Sequence, residues 1–98
     1  MTAAPITLTQ WDAMHADLTR ALNECAIGNE KRPASMLVGI MRGLAALPAG
    51  NPYLTAVTQH VLLACDCLED ECPGAAEAEL RIARGQWDAY GMSLGPLA

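Results

Sequence analysis

Four stretches of apolar residues at helical spacing, separated by proline and glycine signals, constrain the fold of this chain most strongly. Within each stretch apolar side chains recur three and four residues apart, which is the period of one helix face. Ala, Leu and Met supply most of these side chains, Phe is absent, and β-branched residues never cluster into a strand-like run. The sequence therefore predicts an all-α fold.

Local capping signals mark where the helices begin. Thr7 is followed three residues later by Gln10, which is the pattern of a capping box. Pro33 is acceptable in the first turn of a second helix. Asn51 and Pro52 together form a typical helix start, with asparagine as the cap and proline as the first helical residue.

Glycine and proline also mark the expected ends. Gly28 suits the left-handed position after the first helix, Pro73 and Gly74 separate the third helix from the fourth, and Gly91 predicts the end of the fourth. The predicted helices span about residues 7–27, 33–47, 52–71 and 75–90, and residues 91–98 are predicted to form a loose tail.

The chain has 98 residues, which predicts one domain. Short loops between long helices favour antiparallel neighbours. We therefore expect a small antiparallel four-helix bundle, or a pair of helical hairpins completed by dimerisation.

Charge is distributed unevenly along the sequence. The net charge is −5; residues 1–50 are balanced, whereas residues 51–98 hold seven acids against two arginines. A basic footprint for phosphate is missing, so we do not expect direct nucleic-acid binding. No apolar run approaches a membrane span, and the start Met-Thr-Ala-Ala-Pro lacks the pattern of a signal peptide. We expect a cytoplasmic protein with reduced cysteines.

A cluster of acids is the first candidate site. Four of its members lie at the C-terminal end of the third helix, where the helix dipole disfavours negative charge. Such a cluster can simply keep the protein dispersed, or it can dock a partner protein with a basic surface. The candidate partner-binding residues are Asp66, Glu69, Asp70, Glu71, Glu77 and Glu79.

Small residues on the second helix form the second candidate site. Ser35, Gly39 and Gly43 lie four residues apart, beside Met36 and Ile40. Glycine inside a helix costs about 1 kcal/mol relative to alanine, so this spacing indicates a close approach to the backbone. The contact can be a helix packed inside the monomer or the face of a homodimer.

A thiol or metal site is the alternative. His60, Cys65, Cys67 and Cys72 are four soft ligands close together in sequence. In a continuous helix, however, residues two apart point about 200° apart, so Cys65 and Cys67 cannot share one ion. No paired ligand motif such as C-x-x-C is present, and we expect no cofactor.

Nothing in the sequence assembles a catalytic set, so we do not expect an enzyme. The leading hypothesis is a small helical protein that binds and blocks a partner, as an inhibitor, a toxin-immunity protein or a transcription-factor antiactivator does. A thiol or metal-binding protein is the alternative, and a structural adaptor subunit is the second alternative.

Overall fold

A computed structural model describes residues 5–98, and the expectation about a signal peptide rests mainly on residues outside this range. The regular structure of the described residues consists of four α-helices, which confirms the all-α prediction. They are α1 (Leu8–Ala26), α2 (Lys31–Ala45), α3 (Pro52–Glu69) and α4 (Pro73–Ser93).

The predicted caps of α1 and α3 are present. Gln10 N donates to Thr7 Oγ1 (3.2 Å), and Thr7 N donates to Gln10 Oε1 (2.8 Å), which completes the capping box. Asn51 Oδ1 accepts from Tyr53 N (2.9 Å) and Leu54 N (3.3 Å) at the start of α3.

The second helix begins two residues earlier than expected, at Lys31. Glu30 is the N-cap residue, and Asn29 before it accepts a hydrogen bond from Arg32 N (3.2 Å) through Oδ1, which satisfies one free N–H of the first turn. Pro33 is the third residue of α2 and is buried. It still falls within the first turn, where its missing N–H costs no helical hydrogen bond.

The fourth helix differs from expectation at both ends. It starts at Pro73 and continues through Gly91 to Ser93, so residues 91–93 are helical. The following residues are also anchored: Leu97 is half-buried against the core, and Leu8 N donates to the carbonyl oxygen of Ala98 (2.9 Å). Residues 94–98 therefore pack against the bundle instead of forming a loose tail.

The helices form an up-and-down four-helix bundle. Each helix packs against its neighbours in sequence, and α4 closes the ring by packing against α1. Within residues 5–98 the diagonal pairs make no close backbone contact. The α3–α4 pair is the most closely packed, and the α2–α3 pair is the least. The side of the ring between α2 and α3 is therefore the most open. The molecule is elongated, with dimensions of 47 × 22 × 19 Å.

The core runs along the centre of the ring. It is filled by leucine and alanine from all four helices and by Trp87 and Tyr90 of α4, both about 1% exposed. None of the helices in the described part of the chain is long and apolar enough to cross a membrane.

Candidate docking surface

The turn between α3 and α4 has the hydrogen bonds of a Schellman motif. Glu71 N donates to the carbonyl oxygen of Leu68 (3.1 Å), and Cys72 N donates to that of Cys67 (2.8 Å). Glu71 has a φ of 58°, a left-handed value that glycine adopts more easily. The same motif ends α1, where Gly28 holds the left-handed position as predicted. A glutamate therefore occupies a backbone position that favours glycine.

Four of the six candidate acids surround this turn. They are exposed, and none of their carboxylates lies in an ion pair with another residue of the range 5–98. Together they place four negative charges at one end of the molecule without a neutralising partner. We call this cluster the acidic turn; it comprises Asp66, Glu69, Asp70 and Glu71.

The other two candidate acids bind side chains of the bundle itself. Arg81 Nη2 donates to Glu77 Oε1 (3.1 Å), and His60 Nδ1 lies 2.6 Å from Glu79 Oε2. Both carboxylates are about three-quarters buried. Glu77 and Glu79 are therefore partly buried and paired within the bundle, unlike the four exposed acids of the acidic turn.

An apolar groove between α2 and α3 opens beside the acidic turn. It encloses about 270 Å³. Its lining includes Val38, which is 52% exposed, and Leu62, which is 49% exposed, lies one helical turn before the lining residue Cys65 on α3. We call this cavity the α2–α3 groove; its lining residues are Glu30, Ala34, Val38, Cys65, Leu68 and Glu69.

The rim of the α2–α3 groove is negatively charged. The carboxylates of Glu30 and Glu69 belong to its lining, which includes no lysine or arginine, and Glu69 connects it to the other acids of the acidic turn. Burial, followed by the charges of Asp66 and Glu69, raises the pKa of the Cys65 thiol. That thiol therefore stays neutral near pH 7 and belongs to the apolar lining.

The structure does not bring the four residues of the alternative metal site together. His60 bonds Glu79, Cys65 lines the groove, and Cys72 is exposed with its Sγ donating to the carbonyl oxygen of Asp70 (3.4 Å). Nowhere in the range 5–98 do three His, Cys, Asp or Glu side chains lie where they could hold one metal ion.

The residues of the predicted small-residue face of α2 lie in different environments, some inside the monomer and some on its surface. Ile40 is 1% exposed and belongs to the monomer's own core, so it cannot contact a second copy. A Cβ atom on Gly43 would lie 2.8 Å from Met14 Cε, which places the close approach inside the monomer. Nothing lies within 4 Å of a Cβ atom on Gly39, and Ser35 is exposed while Met36 is half-buried.

An aromatic cluster joins α1 to α4. Trp11 Nε1 donates to the carbonyl oxygen of Trp87 (3.3 Å), Trp87 Nε1 donates to that of Trp11 (3.1 Å), and the rings stack with centroids 6.4 Å apart. Gly91 lies against the Trp11 ring, and a Cβ atom there would be 2.8 Å from Trp11 Cε2. The His15 ring stacks on the Trp11 ring, and His15 Nδ1 lies 3.0 Å from Asp88 Oδ1. The cluster fixes α1 on α4 on the side away from the α2–α3 groove.

Sequence reasoning did not single out Glu30, Val38 or Leu62. The available signal was the pair Ala34 and Val38, four residues apart on α2 but outside its core-facing stripe. A second apolar stripe on one helix indicates a contact beyond the core.

Comparison with known protein families, curated proteins and solved structures finds no match to this chain.

Proposed function

We propose that this chain binds and blocks a partner protein by receiving a basic amphipathic helix of that partner in the α2–α3 groove. Helix-in-groove recognition places an apolar helix face in a hydrophobic groove and leaves the flanking residues to contact the rim. Basic residues on the partner helix would face Glu30, Glu69 and the rest of the acidic turn.

The observation that carries this proposal is the position of the acidic turn beside the apolar groove. An acidic surface alone attracts many basic proteins, and an apolar groove alone does not choose the sign of charge. Because Glu30 and Glu69 line the same groove as Val38, one ligand can use both features. This combination favours a helix that is apolar on one face and positively charged beside it.

Binding would block the partner because its amphipathic helix is covered by the groove. A helix held in the groove cannot contact its own target, so binding alone suppresses the partner's activity. Such covering is sufficient for the action of an inhibitor, a toxin-immunity protein or a transcription-factor antiactivator.

A peptide titration tests the proposal directly. We would measure by fluorescence anisotropy the dissociation constants of three labelled synthetic peptides of equal length. The first is an amphipathic helix with Leu on one face and Lys or Arg elsewhere, the second has Glu in place of the basic residues, and the third is a basic scramble without an apolar face. We expect the basic amphipathic peptide to bind best and to weaken as salt screens the charges.

Variants with matched controls locate the site. Leu62→Ser should weaken binding of the basic amphipathic peptide about 10-fold, because apolar contact area is lost. Glu69→Lys should weaken it about 5-fold or more, because one attractive charge becomes repulsive. The controls are Leu8→Ser, since Leu8 is 47% exposed on α1, and Asp12→Lys, since Asp12 is an exposed acid of α1.

Two results would overturn the proposal. One is equal binding of the basic and acidic amphipathic peptides at the same ionic strength. The other is equal loss of binding in the control variants and in Leu62→Ser and Glu69→Lys.

A further inference from the structure

The Schellman motif at the end of α3 brings the backbones of Cys67 and Cys72 together. In a continuous helix two residues five apart would point about 140° apart. Here α3 ends at Glu69 and the chain turns through the left-handed Glu71, so that Cys72 N donates to the carbonyl oxygen of Cys67 (2.8 Å). A backbone hydrogen bond of this kind holds the two Cα atoms about 5–6 Å apart. This separation lies within the range of about 4.4–6.8 Å that disulfides require.

The side chains of these two cysteines are also favourably placed. Residues at these two positions of a Schellman motif frequently contact each other. Both cysteines are free thiols; Cys67 is half-buried and Cys72 is exposed. Burial, followed by the charges of Glu79, Cys72, Asp70 and Asp66, raises the pKa of the Cys67 thiol, so a charge on one sulfur acts on the other. The bond from Cys72 Sγ to the Asp70 carbonyl oxygen (3.4 Å) is a weak one that rotation about χ1 breaks.

Cys65 does not belong to this pair. It points about 200° away from Cys67 around α3 and lines the α2–α3 groove. Cys67, in contrast, is close enough to α4 for the charge of Glu79 to act on it. Cys65 therefore serves as the matched control for the pair.

We propose that Cys67 and Cys72 form a dithiol site that small cationic disulfides oxidise reversibly to an intramolecular disulfide. The charge preference follows from the acidic turn, whose four exposed carboxylates surround the two sulfurs in sequence and have no ion-pair partner in the range 5–98. Such a surface repels an anionic disulfide such as glutathione disulfide and attracts one that carries amines. Cystamine is a suitable probe of this class.

The reaction consists of two thiol–disulfide exchanges. The exposed Cys72 thiol loses its proton to solvent, and its sulfur attacks one sulfur of cystamine; the cystamine S–S bond breaks, and one cysteamine leaves as a thiolate that takes up a proton. Cys67 then loses its proton and attacks the Cys72 sulfur of the mixed disulfide, which releases the second cysteamine in the same way. Two electrons pass from the two cysteine sulfurs to cystamine, which is reduced to two molecules of cysteamine.

The disulfide would close a ring over the left-handed Glu71 and hold the turn in the conformation that the structure shows. The dithiol site does not depend on the proposed docking function, because the peptide titration is carried out on the reduced protein. Failure of one therefore leaves the other unaffected.

Mass mapping after treatment with cystamine locates the bond. Free thiols are blocked with iodoacetamide, and the chain is cleaved after glutamate, which cuts at Glu69 and Glu71 and puts Cys67 and Cys72 on separate peptides. We expect these peptides to stay joined in the wild type and in Cys65→Ser, and to separate after dithiothreitol.

The variants Cys67→Ser and Cys72→Ser should stop at a mixed disulfide with cysteamine, because the second exchange has no attacking thiol. A wild-type chain that carries only stable mixed disulfides would overturn the proposal. Loss of the joined peptides in Cys65→Ser would assign the bond to Cys65 and would overturn it equally.

Rates of thiol loss test the charge preference. The ratio of the rate with cystamine to the rate with glutathione disulfide should fall about 3-fold or more in the double variant Asp70→Asn/Glu71→Gln, because two of the nearby negative charges are removed. Asp12→Asn, which removes an exposed acid of α1, should leave the ratio unchanged. An equal ratio in all three proteins would contradict the selection of cationic disulfides.

Unfolding separates the effect of the turn from that of sequence proximity. The equilibrium constant for closing the Cys67–Cys72 bond against cysteamine should be at least about 10-fold larger in the folded protein than in concentrated urea, because the folded turn holds the two sulfurs at a high effective concentration. Equal constants would show that the fold does not build the site.

Discussion

At the residue scale, the two Schellman turns place different residue types, a glycine and a glutamate, in the same left-handed backbone conformation. Gly28 and Glu71 both hold the left-handed position after a helix, with φ values of 83° and 58°. Glycine predicted the first from the sequence alone, because it is the usual residue there. A glutamate carries no such signal, so the second could be found only from the structure. The strain at Glu71 lies within the proposed docking surface, where such conformations are often retained for function.

Replacing this glutamate should separate stability from binding. Glu71→Gly relieves the left-handed strain and removes one repulsive charge, so the free energy of unfolding should rise by about 1 kcal/mol. The same variant should bind the basic amphipathic peptide more weakly. Urea denaturation and the anisotropy titration measure the two effects. The comparison variant Glu69→Gly lies in the last turn of α3 and should lower stability instead; a loss of stability in both variants would contradict the strain at Glu71.

A second prediction concerns Cys25, which is 2% exposed. Burial, and then the charges of Glu77 and Glu24, raise its pKa from 9.0 to about 11. The folded state therefore favours the neutral thiol. Its contribution to stability is complete below pH 9 and is lost as the pH rises towards 11, because the unfolded thiol ionises first.

The free energy of unfolding of wild type minus that of Cys25→Ala should fall by roughly 2 kcal/mol between pH 8.5 and 11. The other three cysteines are common to both proteins, so their ionisation cancels. A constant difference across this range would show that Cys25 titrates normally.

At the element scale, local capping signals predicted the starts of α1 and α3 correctly. The end of α4 and the α2–α3 groove depend on tertiary packing, which these signals do not specify. Thr7 and Asn51 act through their own side chains on nearby N–H groups, so sequence suffices to predict them. Gly91 was expected to end α4, but the helix continues to Ser93, and the glycine instead leaves room for the Trp11 ring where a Cβ atom would lie. The groove lined by Glu30 and Val38 depends on the distance between two helices, which no local pattern specifies.

The same substitution at two glycines of α4 should have opposite effects. Gly91→Ala should lower the free energy of unfolding by about 2 kcal/mol, because the new methyl group displaces the Trp11 ring. Gly85→Ala should raise it by up to about 1 kcal/mol, since the site is open and alanine favours the helix. Both should be measured by urea denaturation. Equal signs would contradict either the close contact at Gly91 or the open space at Gly85.

At the scale of the whole molecule, the ring of helices is packed unevenly. α4 lies between its two most closely packed neighbours, whereas α2 is held by α1 and only lightly by α3. The acidic turn lies beside the lightly packed α2–α3 side, so negative charge is concentrated there. A binding surface at the edge of α2 can therefore adjust without disturbing the α1–α4 aromatic cluster.

Hydrogen exchange should follow this order. Amides of α2 should exchange fastest among the four helices and those of α4 slowest, because local opening is easiest where fewest contacts are broken. Mass spectrometry of deuterium uptake measures this directly. Adding the basic amphipathic peptide should slow exchange in α2 and the C-terminal half of α3 and leave α1 unchanged; protection centred on α1 would move the docking surface elsewhere.

The stacked pair Trp11 and Trp87 also supplies an optical reporter. These are the two tryptophans of the chain, and their rings lie with centroids 6.4 Å apart at an interplanar angle of 15°. Excitation of one indole is therefore coupled to the other, which gives near-ultraviolet circular dichroism bands that vanish when α1 separates from α4. Unlabelled protein can report its own unfolding through these bands, while a ligand held between α2 and α3 leaves them in place.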